Sequence, residues 1–235
     1  MRPIEGGVCS VCGERLVSLH AFTIPDDAPR CGLCRRLEQP YARAAAYGSY
    51  EGGLRDLIHM LKYQGVRPAA NVLGRMLAEV LDGLRPAIGE ANVMVVPVPL
   101  HSAKFRQRGF NQAEVIAKVA LKLAGGPSKY ALIPDALERT RDTQSQIGLT
   151  RHQRRENLRG AFRVKRPDAI AGQQVLLVDD VLTTGTTASE CSRILRRAGA
   201  SRVWVATVAR TLKADAQFAH IDLGEETRTT LAAHG

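Results

Sequence analysis

One segment constrains the fold more than any other. In it, an apolar run is followed by two acidic residues, a loop of small residues and a helical pattern. This signature segment reads VLLVDDVLTTGTT over Val175–Thr187. Four successive apolar residues are typical of a buried parallel strand. Ligands of open α/β sheets bind at the carboxyl ends of such strands. The sequence therefore predicts that Asp179 and Asp180 lie at a ligand-binding edge.

Helical and strand patterns alternate around this segment. Apolar spacing predicts helices over 54–62, 69–84, 111–123 and 187–198, and short apolar runs predict strands over 93–98, 175–178 and 202–208. This alternation indicates an α/β fold, a parallel sheet with flanking helices and right-handed crossovers. Residues 137–166 lack sustained periodicity and are expected to form a mobile or hairpin excursion.

The loop of the signature segment has the composition of a phosphate site. Backbone N–H groups and the start of a helix favour a phosphate dianion. Gly185 allows close approach of the backbone, and four hydroxyls add donors, those of Thr183, Thr184, Thr186 and Thr187. The two carboxylates can accept hydrogen bonds from a vicinal diol, so a ribose 5-phosphate fits the segment. The alternative is that the threonines only cap a helix beside a solvated acidic pair.

Four of the five cysteines lie in the first 34 residues, as Cys9, Cys12, Cys31 and Cys34. The C-x2-C-x18-C-x2-C spacing is typical of two knuckles that hold one structural zinc ion. Two disulfides are the alternative, which the reducing cytoplasm disfavours. The fifth cysteine, Cys191, falls in a helical pattern and is expected to be a small buried residue.

The net charge of +10 is concentrated in one part of the chain. Residues 101–166 contain 15 Lys or Arg against 5 Asp or Glu, which accounts for the whole excess. Such a segment is expected to meet an anionic group, although a solvated basic face is the plainer interpretation. Apolar runs are too short to cross a bilayer, and the start of the chain has no secretory pattern. A cytoplasmic protein without membrane insertion is expected.

The signature segment is similar to the phosphoribosyl pyrophosphate (PRPP) motif of type I phosphoribosyltransferases, and the wider pattern resembles the ComF family. The features that carry this resemblance are the cysteine pairs, Leu61–Gly65, Val96–Leu100, Arg108–Ala113, Gln146–Asn157 and Ala161-Phe162. The resemblance implies a type I phosphoribosyltransferase-like sheet with a small hood, over residues 41–212. A zinc module would occupy residues 1–40 and a tail residues 213–235.

The resemblance also implies a ligand, PRPP with Mg²⁺, and a role for each matched residue. Asp179 and Asp180 would bind the ribose hydroxyls, and Thr183 through Thr187 the 5-phosphate. The turn after the strand over 93–98 would bind pyrophosphate, with Pro99, Leu100, His101, Lys104, Arg106 and Arg108 as candidates. Residues 139–157, with Arg151, Arg154 and Arg155, would form a closing loop. Lys62 is either a phosphate ligand from the hood or a solvated residue at a helix end.

Three functions remain open at this stage. The first is a phosphoribosyltransferase acting on an unidentified acceptor, with no catalytic residue assigned. The second is a non-catalytic sensor of PRPP or a nucleotide that binds DNA or a partner. The third makes the zinc segment a docking platform for a helicase or a DNA-uptake machine. His59 and His101 are not expected to be catalytic, because neither has an evident carboxylate partner.

Overall fold

The protein's computed structural model describes residues 4, 7–16, 28–124, 129–141 and 151–212. The helices of this part of the chain are α1 (Gly32–Arg36), α2 (Gly52–Gln64), α3 (Ala69–Ile88), α4 (Ser102–Arg108), α5 (Gln112–Leu123), α6 (Arg151–Leu158) and α7 (Thr186–Arg197). The strands are β1 (Arg43–Ser49), β2 (Val93–Pro97), β3 (Tyr130–Leu132), β4 (Leu137–Arg139), β5 (Phe162–Val164), β6 (Gln174–Leu182) and β7 (Arg202–Arg210).

Five strands form one parallel sheet in the order β1-β7-β6-β2-β3. The parallel α/β sheet with flanking helices is thus confirmed. β6 and β7 are central and consist largely of buried Val, Leu and Ala, as expected of strands covered on both faces. β4 and β5 pair in antiparallel register as a separate hairpin.

Each face of the sheet has its own apolar core. On one face, α2, α3 and α5 pack against the central strands through large buried side chains such as Ile58, Leu77 and Ile116. On the other face, the core joins α7, the hairpin and the cysteine segment, and includes Leu177, Leu195 and Phe162. The helices that follow β2 and β6 therefore lie on opposite faces.

The N-terminal cysteine segment covers the outer edge of β1. The Ala44 N–H donates to the Val11 carbonyl at 2.7 Å, and the Ile4 N–H donates to the Tyr47 carbonyl at 2.9 Å. Gly13 packs so closely that a Cβ there would lie 3.0 Å from the Ala44 oxygen. These bonds satisfy backbone groups that an exposed edge strand would offer to other chains.

The predicted elements agree with the structure in type and differ in length. α3 continues four residues beyond 84, and β6 runs from Gln174 to Leu182 rather than over 175–178 alone. The sequence predicts a mobile or hairpin excursion over 137–166, and the structure has the β4–β5 hairpin there. α6 lies between the two strands along the chain. Residues 142–150 of this segment lie outside the described part of the chain, as does the predicted tail, 213–235.

Candidate functional site

The sheet changes direction between β2 and β6. After β2 the chain proceeds to β3 at one edge of the sheet, and after β6 it proceeds to β7 and the other edge. The helices following these two strands lie on opposite faces, so the loops at their carboxyl ends diverge and leave a crevice. Crevices at such switch points are the usual ligand sites of open α/β sheets.

The acidic pair lies at this crevice. β2 ends at Pro97, which pairs with Val178, whereas β6 continues beside β7 as far as Leu182. Asp179 and Asp180 therefore lie inside β6 but beyond the last residue of β2. The sequence places them after the end of the strand, and the difference arises because pairing with β7 extends β6 by four residues.

The two carboxylates differ in their surroundings. Asp179 is partly exposed and its Oδ1 accepts the Asp180 N–H at 2.9 Å. Asp180 is 3% exposed, and its Oδ1 accepts the Val181 N–H at 2.9 Å. The second oxygen of Asp180, Oδ2, forms an ion pair with Nζ of Lys62 at the end of α2.

The ion pair gives the neighbouring carboxyl groups opposite pKa shifts. Burial and the negative charge of Asp180 raise the pKa of Asp179 well above its usual range. Burial opposes ionisation of Asp180 too, but the Lys62 ammonium outweighs it and lowers the pKa of that carboxyl. Burial likewise opposes the charged form of Lys62, and the two carboxylates still raise its pKa. The shifts of the pKa of Lys62 and of Asp180 both favour the charged ion pair, whereas the shift of the pKa of Asp179 favours its protonated form.

The loop after β6 leads directly into α7. Gly185 is the residue before the helix and has φ of 76°, a conformation that favours glycine. Gly185 itself has no side chain that could cap the first N–H groups of α7. Thr184 and Thr186 share a hydrogen bond between their hydroxyls at 2.8 Å, Thr183 is exposed and Thr187 is partly exposed. The loop thus offers backbone donors and hydroxyls beside the acidic pair.

The proposed pyrophosphate turn is shorter than the sequence predicts. Pro99 and Leu100 lie in the loop after β2, but His101 already precedes α4, where its Nδ1 accepts the Ala103 N–H at 3.4 Å. Lys104 and Arg106 are therefore exposed helical residues rather than loop residues. The turn predicted over 99–104 is wrong in its second half, because the side chain of His101 caps a helix there.

Comparison with known proteins identifies the family. The phosphoribosyl transferase domain family matches residues 67–217. The chain is 33% identical to DNA utilization protein YhgH of Escherichia coli O157:H7, over 88% of this chain and 91% of that protein. It is 30% identical to competence protein F of Haemophilus influenzae with the same coverage. Competence protein ComFC of Bacillus subtilis is 25% identical over 85% of this chain and 75% of that protein. The chain belongs to the phosphoribosyl transferase domain family.

This membership confirms the resemblance to ComF-type phosphoribosyltransferases. The family match includes β2, β6 and β7, and therefore both strands of the switch point. It leaves α1, β1 and α2 outside, so the cysteine segment and Lys62 precede the matched domain. No helix in the described residues combines the length and apolar character needed to span a membrane.

Arg108 and Tyr63 contact each other near the acidic pair, a contact that sequence reasoning does not reveal. The Arg108 guanidinium lies 5.7 Å from the ring centre of Tyr63, donates to Gln112, and helps to lower the pKa of Asp180. Tyr63 is 71% exposed. The only sequence signal is that Tyr63 follows Lys62 at the end of the same helix.

His59 contacts two tyrosines, and Cys191 lies in the apolar core. His59 Nε2 lies 3.0 Å from the Tyr50 hydroxyl, and its ring lies beside that of Tyr63. Cys191 is fully buried in α7, which confirms that prediction, and burial raises the pKa of its thiol well above the usual range. The side chains of Arg151, Arg154 and Arg155 lie outside the described part of the structure.

The four N-terminal cysteines converge on one point. Their sulfur atoms all lie within 4.8 Å of one another, and the Cys12 and Cys31 sulfurs are 3.7 Å apart. A disulfide needs about 2.05 Å, so the four thiols are free, whereas a tetrahedral ion with bonds of about 2.3 Å fits this spacing. The cluster can hold one metal ion, and four thiolates leave no position for a reacting water.

Proposed function

We propose that the chain binds PRPP at the carboxyl end of β6 and transfers its phosphoribosyl group to an acceptor. The observation that carries this proposal is the acidic pair beside a helix that begins after Gly185, at the switch point of a phosphoribosyl transferase domain. Asp179 and Asp180 would hold the ribose hydroxyls, and the loop from Thr183 to Thr187 the 5-phosphate. This arrangement fits a sugar phosphate better than a helix cap alone, because a cap does not require an adjacent pair of carboxyl groups, one of them buried.

The reaction exchanges two bonds at C1 of ribose. The bond from C1 to pyrophosphate breaks with its electron pair remaining on pyrophosphate, and the acceptor forms a bond to C1 as it loses a proton. The chain's contribution is to orient the ribose at the acidic pair and to stabilise developing charge. Lys104, Arg106 and Arg108 belong to α4, which follows β2, and we assign them as the cations that would meet the leaving group. The charge of pyrophosphate is neutralised by Mg²⁺ when that ion is bound.

Calorimetric titration of PRPP with Mg²⁺ tests the site directly. The wild-type protein is expected to bind, and the Asp179→Asn/Asp180→Asn variant is expected to lose binding, because amides offer fewer acceptors to the ribose hydroxyls. Asp135→Asn is the matched control, since Asp135 is an exposed carboxylate paired with Arg166. Absence of binding by folded, metal-loaded wild type would contradict the proposal. Binding would then justify a screen of nucleobase and amine acceptors.

We further propose that the cysteine cluster holds zinc in a module of residues 1–40, attached to a phosphoribosyltransferase-like domain of residues 41–212 and a tail of residues 213–235. The all-thiolate donor set and the spacing of the sulfurs support zinc. A cytoplasmic site of action accords with free thiols. Metal analysis of the purified protein, with one equivalent expected, tests the zinc assignment.

A second candidate function is binding of DNA or of a partner in the competence machinery. A groove of about 980 Å³ lies between the cysteine segment and α7. Two acidic residues line it, Glu38 and Glu190, against five arginines, namely Arg30, Arg193, Arg196, Arg197 and Arg202. An arginine-lined groove suits an anionic polymer, and two relatives have names that mention DNA utilization and competence.

Salt-dependent binding separates this second function from the first. If the groove binds single-stranded DNA, affinity should fall with rising salt and should persist in the Asp179→Asn/Asp180→Asn variant. The double variant Arg30→Ser/Arg197→Ser should weaken binding. Arg166→Ser, which removes an exposed arginine away from the groove, should bind as wild type. Equal DNA affinity of the groove variant and wild type would show that the groove is not the DNA-binding site.

A further inference from the structure

Lys62 is held in the site rather than in solvent. It lies in the last turn of α2, ahead of Gly65, and its side chain is 18% exposed. Its Nζ is paired with the Oδ2 atom of Asp180, whose side chain is 5% exposed. The sequence left two alternatives for this lysine, a phosphate ligand or a solvated helix end. The ion pair with Asp180 of β6 matches neither of these alternatives.

A buried ion pair between separate elements needs a specific reason. Desolvation of a lysine and a carboxylate costs several kcal/mol, and their attraction offsets this only in good geometry. A lysine at a helix end could reach water instead, because its four-carbon stem is flexible. The C-terminal end of α2 favours a cation by about 0.3–1 kcal/mol, which is too little to account for burial alone. The pairing therefore acts on Asp180 itself.

We propose that Lys62 is a positioning residue of the sugar-phosphate site. Its ammonium holds the Asp180 carboxylate in one position as an acceptor for a ribose hydroxyl, beside the neighbouring Asp179. This inference rests on the proposed function, since it concerns the same site. The hydroxyls of a vicinal diol donate hydrogen bonds, so a carboxylate that an ammonium holds in one position is a suitable acceptor for them.

The charged groups around the trio determine how binding should depend on pH. Asp180 faces Lys62 of α2, Asp179 of β6 and Arg108 of α4, and Lys62 also faces the Tyr50 hydroxyl. In the wild type the pKa of Asp180 is lowered, so the carboxylate stays ionised as the pH falls through the usual carboxyl range. Without Lys62, burial would raise that pKa, and Asp180 would gain a proton as the pH falls.

Ribose 5-phosphate is the suitable probe, because it has the diol and the phosphate but no pyrophosphate. Calorimetry between about pH 5 and about pH 8 should compare each variant with wild type at the same pH, because the phosphate group of the probe itself titrates at about pH 6, by about one charge. Lys62→Met should bind at least about tenfold more weakly than wild type at neutral pH, and this difference should grow as the pH falls. Lys62→Arg keeps the charge and should restore most of the wild-type affinity at every pH. Inorganic phosphate should bind equally to all three proteins.

Controls keep the inference separate from the proposed function. Lys118→Met removes an exposed lysine paired with Glu114 and should match wild type at every pH. Wild-type affinity in Lys62→Met, with binding lost in Asp179→Asn/Asp180→Asn, would overturn the role of Lys62 alone. Equal loss of phosphate and ribose 5-phosphate binding would make Lys62 a phosphate ligand instead, and would also overturn it. Failure of folded wild type to bind either PRPP or ribose 5-phosphate would overturn both proposals.

Discussion

Arg210 joins the cysteine cluster to the parallel sheet. It lies at the end of β7 and is 6% exposed. Its guanidinium donates to the Cys12 carbonyl at 2.6 Å and to Glu14 at 2.8 Å, and it lies 3.9 Å from the Cys12 sulfur. Four thiolates around a divalent ion have a net charge of −2, so a buried cation beside one sulfur stabilises the loaded cluster. Arg210 pairs in register with Leu182, only two residues from Asp180.

Replacement of Arg210 is expected to weaken both folding and metal retention. Arg210→Met leaves Glu14 buried without this cation, a change that costs about 3–5 kcal/mol when a buried pair is broken. The free energy of unfolding from denaturant titration measures this loss, and competition with a chromophoric chelator measures metal affinity. Arg163→Met is the matched control, because its pair with Glu138 is exposed and should contribute less than about 1 kcal/mol. Similar losses in both variants would show that Arg210 has no special role.

The packing of α3 against α5 depends on a glycine. A Cβ at Gly74 would lie 2.4 Å from two side-chain carbons of Val119, closer than atoms can approach. In the same helix, a Cβ at Gly83 would meet no heavy atom within 4 Å. Both glycines lie in α3 but differ in their neighbours. Substitution of each by alanine therefore distinguishes the effect of packing from that of helix propensity.

Opposite effects on stability are expected from the two alanine substitutions. Gly74→Ala should lower the free energy of unfolding by about 1–3 kcal/mol, because overpacking forces α3 and α5 apart. Gly83→Ala should raise it by up to about 1 kcal/mol, because alanine favours the helix. Urea denaturation of both variants measures the difference. A gain in stability for Gly74→Ala would show that α5 moves freely, contrary to the packing described.

Sequence patterns predict the central elements better than the edges of the fold. The buried runs of β2, β6 and β7 have strong apolar patterns, and the spacing in α3 identifies its buried face. β1 escapes prediction because Ala44-Ala45-Ala46 has no β-branched residue, and only pairing with β7 makes it a strand. α4 is missed because only two of its seven residues, Ala103 and Phe105, are apolar, so no helical apolar spacing appears. The acidic pair is predicted from its motif, whereas the Lys62 partner depends on how α2 lies across the sheet.

Charge is distributed differently in space than along the chain. The sequence predicts an anion-binding region within residues 101–166, where the whole excess of positive charge lies. The arginine-lined groove is formed instead by Arg30 and four arginines beyond residue 190. These residues lie in a part of the chain whose charges balance, so counting could not reveal them. Folding brings the cysteine segment against α7 and so creates the arginine-lined groove.

At the scale of the whole molecule, the metal cluster should control solubility as well as stability. The cysteine segment supplies the hydrogen bonds at the outer edge of β1, and without metal the four thiols have no common partner to hold that segment. An uncovered parallel edge can pair with other chains. Removal of metal should therefore expose β1 and lead to self-association before it changes the structure at the switch point between β2 and β6.

Chelation under reducing conditions tests this prediction. If the metal contributes about 3 kcal/mol, its removal should lower the thermal midpoint by roughly 10 °C for a chain of this length. Light scattering should rise at the same time, and zinc added before heating should reverse both effects. Cys12→Ser/Cys34→Ser should behave like chelated wild type, whereas Cys191→Ala should retain the metal, since Cys191 lies outside the cluster. A chelated protein that stays monomeric with an unchanged midpoint would show that β1 is protected by its own packing, because the hydrogen bonds from the cysteine segment would then persist without the metal.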